Sequence, residues 1–184
     1  MKKQKLMAVV LFAALTGVFV SCNDDDNQCI PDYTGALSAD ETAFAGEWHL
    51  TAIESSEEID LTDDDEDNPS TDIFAQQSDC QNDLQYDFGT DRIYKYSART
   101  NVEDCEDSPA AIEGTWKFGG STLGLITACT ESVVELDVND QRTTFSYTIS
   151  TFFTKESGER IEIDVTHTFT KGPIVPTPPV EEAE

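Results

Sequence analysis

Between Trp48 and Phe169 the chain alternates apolar and polar residues in short runs, the period of half-buried β-strands. In the first run Trp48, Leu50 and Ala52 share one face, and Glu47, His49 and Thr51 the other. Leu84, Tyr86 and Phe88 alternate, Gly89-Thr90-Asp91 turns the chain, and residues 93–98 return with Tyr94 and Tyr96 on one face. Gly114-Thr115-Trp116-Lys117-Phe118 leads through Gly119-Gly120 into residues 122–128, where Leu123 and Leu125 alternate. Residues 133–138 follow, with Asn139-Asp140 as a turn. Residues 143–154 set Phe145, Tyr147, Ile149 and Phe153 against Thr144, Ser146, Thr148 and Ser150. After Ser157-Gly158, the run Ile161, Ile163, Val165, His167 and Phe169 alternates with Glu162, Asp164, Thr166 and Thr168.

This pattern predicts an all-β domain over residues 38–171 with eight strands in an antiparallel meander. Eight strands joined by tight turns, each with one apolar face, close into an up-and-down barrel and leave no edges. The competing architecture is an immunoglobulin-like sandwich, which needs longer connections between its sheets. Two helical signals interrupt the pattern. Ser38-x-x-Glu41 is a capping box ahead of Phe44, predicting a short N-terminal helix. Residues 71–77 predict a helical turn anchored by Ile73 and Phe74. Residues 54–72 and 101–113 read as acidic loops, and residues 172–184 as a loose Pro/Glu-rich tail.

The N-terminus reads as an address. Lys2, Lys3 and Lys5 precede an apolar stretch, residues 6–20, that ends at Ser21-Cys22, so residues 1–21 are expected to be a signal peptide. Phe19-Val20-Ser21-Cys22 resembles a bacterial lipobox, which implies that Cys22 is acylated and becomes the mature N-terminus. Residues 22–37 then read as an acidic tether, with Pro31 and Gly35 opposing regular structure. Its Asp24-Asp25-Asp26 run resembles a surface-export tag; equally, it keeps the linker off an anionic membrane.

The chain holds 11 basic and 37 acidic residues, and three of the basic ones fall in the leader. Such a balance repels phosphate backbones and argues against nucleic-acid binding. Apart from Cys22 there are four cysteines, Cys29, Cys80, Cys105 and Cys129, an even set in an exported chain with no CxxC. Cys80 and Cys105 bracket a hairpin and are expected to pair, leaving Cys29 with Cys129 or Cys29 free. Asp63, Asp65 and Asp67 have the alternation of a calcium loop, but Asn68-Pro69 and Phe74 depart from the rest of that motif, so a solvated loop is the simpler reading. No metal site or cofactor is expected. His49 falls on the polar face as a surface residue, neither histidine has a recognisable triad partner, and the expectation is a non-enzyme.

Lipobox, acidic linker, Gly-x-Trp at Gly46 to Trp48, acidic insert, Cys80 before Leu84-x-Tyr86-x-Phe88, Cys105 and then Gly114-Thr115-Trp116 together resemble the lipocalin-like domain of Gram-negative surface lipoproteins. The resemblance implies a calycin-like barrel, an outer-membrane lipid anchor on the periplasmic or surface face, and an interior able to hold a ligand. The family's arginine after the last strand is missing, with Lys171 the nearest candidate to pack on Trp48. Tyr86, Phe145, Tyr147, Val165 and His167 are the candidate ligand-binding residues, for a small apolar molecule oriented by Tyr147 and His167. The alternative is an interaction module whose barrel is filled solid.

Overall fold

The computed structural model describes residues 29–62, 66–103, 105, 108–155 and 158–172. The signal peptide, Cys22, residues 63–65 and nearly all of the tail lie outside them. A short helix, α1 (Ala39–Phe44), leads into β1 (Gly46–Ile59). Then come β2 (Ser70–Asp72), α2 (Ile73–Gln76), α3 (Asp79–Asn82) and the hairpin β3 (Leu84–Phe88)–β4 (Ile93–Ala98). The remainder is β5 (Ala110–Gly119), β6 (Thr122–Thr127), β7 (Thr130–Glu135), β8 (Asp137–Val138), β9 (Thr144–Thr154) and β10 (Arg160–Lys171).

All pairings are antiparallel, and the strands follow the order β7-β6-β5-β4-β3-β1-β10-β9-β8, with β2 beside β1. The two ends of that path, β7 and β8, are consecutive in the chain and separated by Leu136 alone. The ring therefore closes through one interrupted strand: its first half pairs with β6 and its second with β9. Among the described residues this is a nearly closed, up-and-down antiparallel barrel with nine strands on its path rather than the eight expected. The extra strand comes from the break at Leu136, which buries its side chain while its amide donates to Ser121 O at 2.7 Å.

Several boundaries differ from the sequence reading. The first strand runs on to Ile59, into the segment read as loop, because it continues along β10 as far as Ser55–Val165 and pairs with β2 beyond. A bulge at Thr51 shifts its alternation, so Ile53 rather than Ala52 faces inward with Trp48 and Leu50. The Thr51 hydroxyl bonds Thr170 Oγ1 at 2.9 Å on the outside. β5 starts at Ala110, four residues earlier than expected, and β7 at Thr130, three earlier. Between β6 and β7, Ala128 and Cys129 both take positive φ, 46° and 69°, making a two-residue turn without the usual Asn or Gly. His49 is 5% exposed, not a surface residue. It lies between Gln85 of β3 and Thr170 of β10, and Glu47 folds back to place Oε1 3.0 Å from its Nε2.

Residues 29–37, read as the end of the tether, form a strap along the outer face of the barrel. Cys29 is disulfide-bonded to Cys129, with Cα atoms 4.5 Å apart. The Tyr33 amide donates to Thr115 Oγ1 at 3.0 Å, and its hydroxyl bonds Glu131. The ring lies over Gly124, where any Cβ would collide with it. Gly35 O and Ala36 O accept from Arg92, and the strap then enters α1. The second disulfide joins Cys80 to Cys105, ahead of and behind the β3–β4 hairpin.

Candidate functional site

The antiparallel meander gives the barrel two ends. One carries α1 and the turns β3–β4, β5–β6 and β8–β9; the other carries residues 60–69, 99–109, 128–129 and 155–159. The first end is closed. Ser38 and Glu41 form the capping box, and the resulting turn delivers Phe44 into the barrel. Phe44 stacks on Trp48 at 4.9 Å and on Phe118 at 4.4 Å, with Phe88, Trp116 and Phe145 around it. Trp48 Nε1 donates to Phe44 O at 3.1 Å, which satisfies the indole N–H inside an apolar core. Lys171 Nζ lies 5.4 Å over the Trp48 ring and donates to Ala43 O, so lysine occupies the cation position expected there.

A buried ion pair locks this end. Arg92 Nη1 and Nη2 meet Glu41 Oε1 and Oε2 at 2.7 and 2.9 Å. Arg92 also donates to Trp116 O, Gly35 O and Ala36 O. Glu41 accepts further bonds from the amides of Ser38 and Phe118. The Arg92 bonds, with those amides, hold its carboxyl at about 2 despite burial. A depression of about 190 Å³ nearby is lined by Phe118, Gly120, Val138, Asn139, Asp140 and Arg142. Its one cation, Arg142, is bonded to Asp40 at 2.7 Å.

At the opposite end no described residue plugs the barrel as Phe44 does. Here residues on the inward face keep solvent contact: Ile112, paired with Tyr96, is 49% exposed, and Ile149, paired with Val165, is 47% exposed. Below them sits a polar ring cluster. Tyr147 and His167 are cross-strand partners stacked at 5.2 Å and 12°. Tyr147 lies beside Tyr86, whose ring lies 4.8 Å from Tyr96 and 5.3 Å from Phe169. Desolvation raises the phenol pKa of Tyr86, Tyr96 and Tyr147, and lowers that of His167, so all four are neutral at pH 7. His167 Nδ1 is buried with no hydrogen-bond partner among the described residues.

The fold thus brings together all five residues singled out from the sequence. Tyr147 and His167 lie at mid-height, Tyr86 beside them, Val165 one inward position nearer the mouth, and Phe145 one nearer the floor. Tyr96 and Ile112 belong to the same wall and were not singled out; only the register of β4 with β3 and β5 places them there. The Arg92–Glu41 lock had no sequence signature beyond the capping box. Among the described residues no group of three or more His, Cys, Asp or Glu is placed to hold a metal. In the acidic insert, Asp60 instead accepts bonds from Thr62 and Asn68.

The fold and interior define a disulfide-stapled antiparallel barrel, plugged at one end and, among the described residues, with exposed inward-facing apolar side chains at the other. Residues 22–168 match the family described as a domain of unknown function, DUF5004, and the chain belongs to that family. No curated protein matches it. Among solved structures, an odorant binding protein, OBP1, is similar at 15% identity with a TM-score of 0.34, over 77% of this chain and 79% of that one.

Proposed function

We propose that this protein is a non-enzymatic, lipid-anchored binding module of the outer membrane that takes a small, largely apolar ligand into the open half of its barrel. The observation that carries this reading is the contrast between the two halves. The floor is sealed by Phe44 and the rings around it, while the wall above keeps exposed apolar side chains around a neutral cluster with an orphaned His167 Nδ1. A buried polar atom without a partner costs about 1–3 kcal/mol, which a ligand hydroxyl or amide would recover. The mainly apolar wall supplies affinity and the few polar groups supply orientation. The anchor is Cys22, acylated and, with residues 1–21 removed, the mature N-terminus.

The test titrates environment-sensitive dyes and fatty acids against the delipidated protein while following tryptophan fluorescence. Saturable one-to-one binding, weakened by Tyr147→Phe and His167→Leu with circular dichroism unchanged, supports the cup. Absence of binding by any probe favours a second reading, an interaction module working through its surface. The packed aromatic floor and the strongly acidic composition speak for that alternative.

A further inference from the structure

The strap runs the length of the barrel wall. It leaves α1 at the plugged end, where Arg92 holds Gly35 and Ala36, passes Tyr33 over Gly124 at mid-height, and reaches Cys29 at the β6–β7 turn. That turn belongs to the opposite end. Without the disulfide the strap would keep at the rim only the long 3.4 Å bond from the Ile30 amide to Cys129 O; its firm attachments would be Tyr33 and the Arg92-bound carbonyls, and its root would move toward the plugged end. With it, the root is the rim of the mouth. Only six residues lie between Cys22 and Cys29, so the two are at most about 25 Å apart along the chain.

We infer that the Cys29–Cys129 disulfide sets the attachment point so that the open mouth of the barrel, not its plugged end, faces the membrane. The inference rests on the acylation of Cys22 proposed above. Most of the exposed large apolar residues, Ile30, Leu61, Ile112, Ile149 and Phe152, lie toward the mouth, whereas Ile93 lies at the plugged end and Val133 midway. The same end carries Asp60, Glu66, Asp67, Glu103 and Glu159, which repel an anionic headgroup layer. Orientation is therefore imposed by the short tether rather than by adhesion, and it places the cup where an apolar ligand leaving a bilayer would arrive.

The experiment uses the full mature protein, purified from membranes and reconstituted in phosphatidylcholine vesicles carrying a headgroup quencher. A fluorophore is attached through a non-cysteine bioorthogonal residue at Thr130, on the rim, or at Asp140, at the plugged end; both positions are exposed. The tether length predicts at least about twofold stronger quenching at Thr130, and a ratio falling to about one or below in the Cys29→Ser/Cys129→Ser variant. Equal or reversed quenching in the native protein, or a ratio the double variant leaves unchanged, overturns the inference. Mass spectrometry of the N-terminus separates the two claims. Lipid on Cys22 with no preference for the rim sinks only the orientation, whereas an unmodified Cys22 sinks the anchor as well.

Discussion

Arg92 reaches from the β3–β4 turn across the plugged end of the barrel and grips both carboxylate oxygens of Glu41, at 2.7 and 2.9 Å. The pair joins the helix that carries the Phe44 plug to the hairpin that forms the floor. Arg92 does so from a positive φ of 69°, and the Arg92 and Trp116 amides bond Gly89 O and Arg92 O in the same turn. Removing one partner of a buried pair strands the other's charge. Arg92→Leu is therefore expected to lower unfolding free energy by about 3–5 kcal/mol, and Arg92→Lys to recover only part, because an ammonium cannot match the bidentate fork or reach both strap carbonyls. Urea unfolding of the three proteins checks this.

The same pair sets an acid limit. The folded pKa of Glu41 is about 2, below its unfolded value of 4.5, so its stabilisation is complete above pH 4.5 and is lost as pH falls toward 2. His167, whose pKa is lowered by burial, adds an earlier loss: below its unfolded value of 6.5 the unfolded chain takes up a proton that the folded one resists. Melting temperature followed from pH 8 to pH 2 is expected to fall in two stages. Glu41→Gln should shrink the lower stage, to which Asp60, Asp83 and Glu131 also contribute, and His167→Leu should remove the upper.

Both disulfides contribute through the unfolded chain. Cys29–Cys129 spans 100 residues and Cys80–Cys105 spans 25. Chain entropy assigns them about 4.7 and 3.5 kcal/mol. Non-reducing peptide mapping should recover these two pairs, and the paired serine variants should lose stability in that order.

Gly114 faces Tyr94 across β4–β5, and a Cβ there would overlap Ile126 O and crowd the Tyr94 ring and Thr127 Oγ1. Backbone cannot yield as a flexible side chain can. Gly114→Ala is expected to cost about 1–3 kcal/mol in chemical denaturation, whereas Gly119→Ala, where a Cβ meets nothing within 4 Å, should cost little.

Alternation alone located most of the strands, because a half-buried strand must change face at every residue. It failed where the backbone broke that period. The Thr51 bulge moved Ile53 inward and Ala52 outward, and nothing in Leu-Thr-Ala-Ile announces a bulge. The Ala128-Cys129 turn is not legible because neither residue carries a turn signature, so alternation alone starts β7 at Val133 rather than Thr130. His49 was legible as outward-facing but not as covered, since its cover comes from strands distant in sequence. The inward set Tyr86, Tyr147 and His167 was legible for the opposite reason: each lies in an unbroken alternation. The strap was not, because Pro31, Gly35 and acidic neighbours read as linker until a disulfide and two carbonyls are seen to fasten it.

The break at Leu136 gives the ring a weak link. β9 and β10 are zipped through 11 residue pairs, while β8 meets β9 through only two, Asp137–Ser146 and Val138–Phe145. Mechanically the wall is a split ring with a short clasp, and not a seamless hoop. Girth can change at the clasp by giving up a few hydrogen bonds, while the long ladders on either side keep their register.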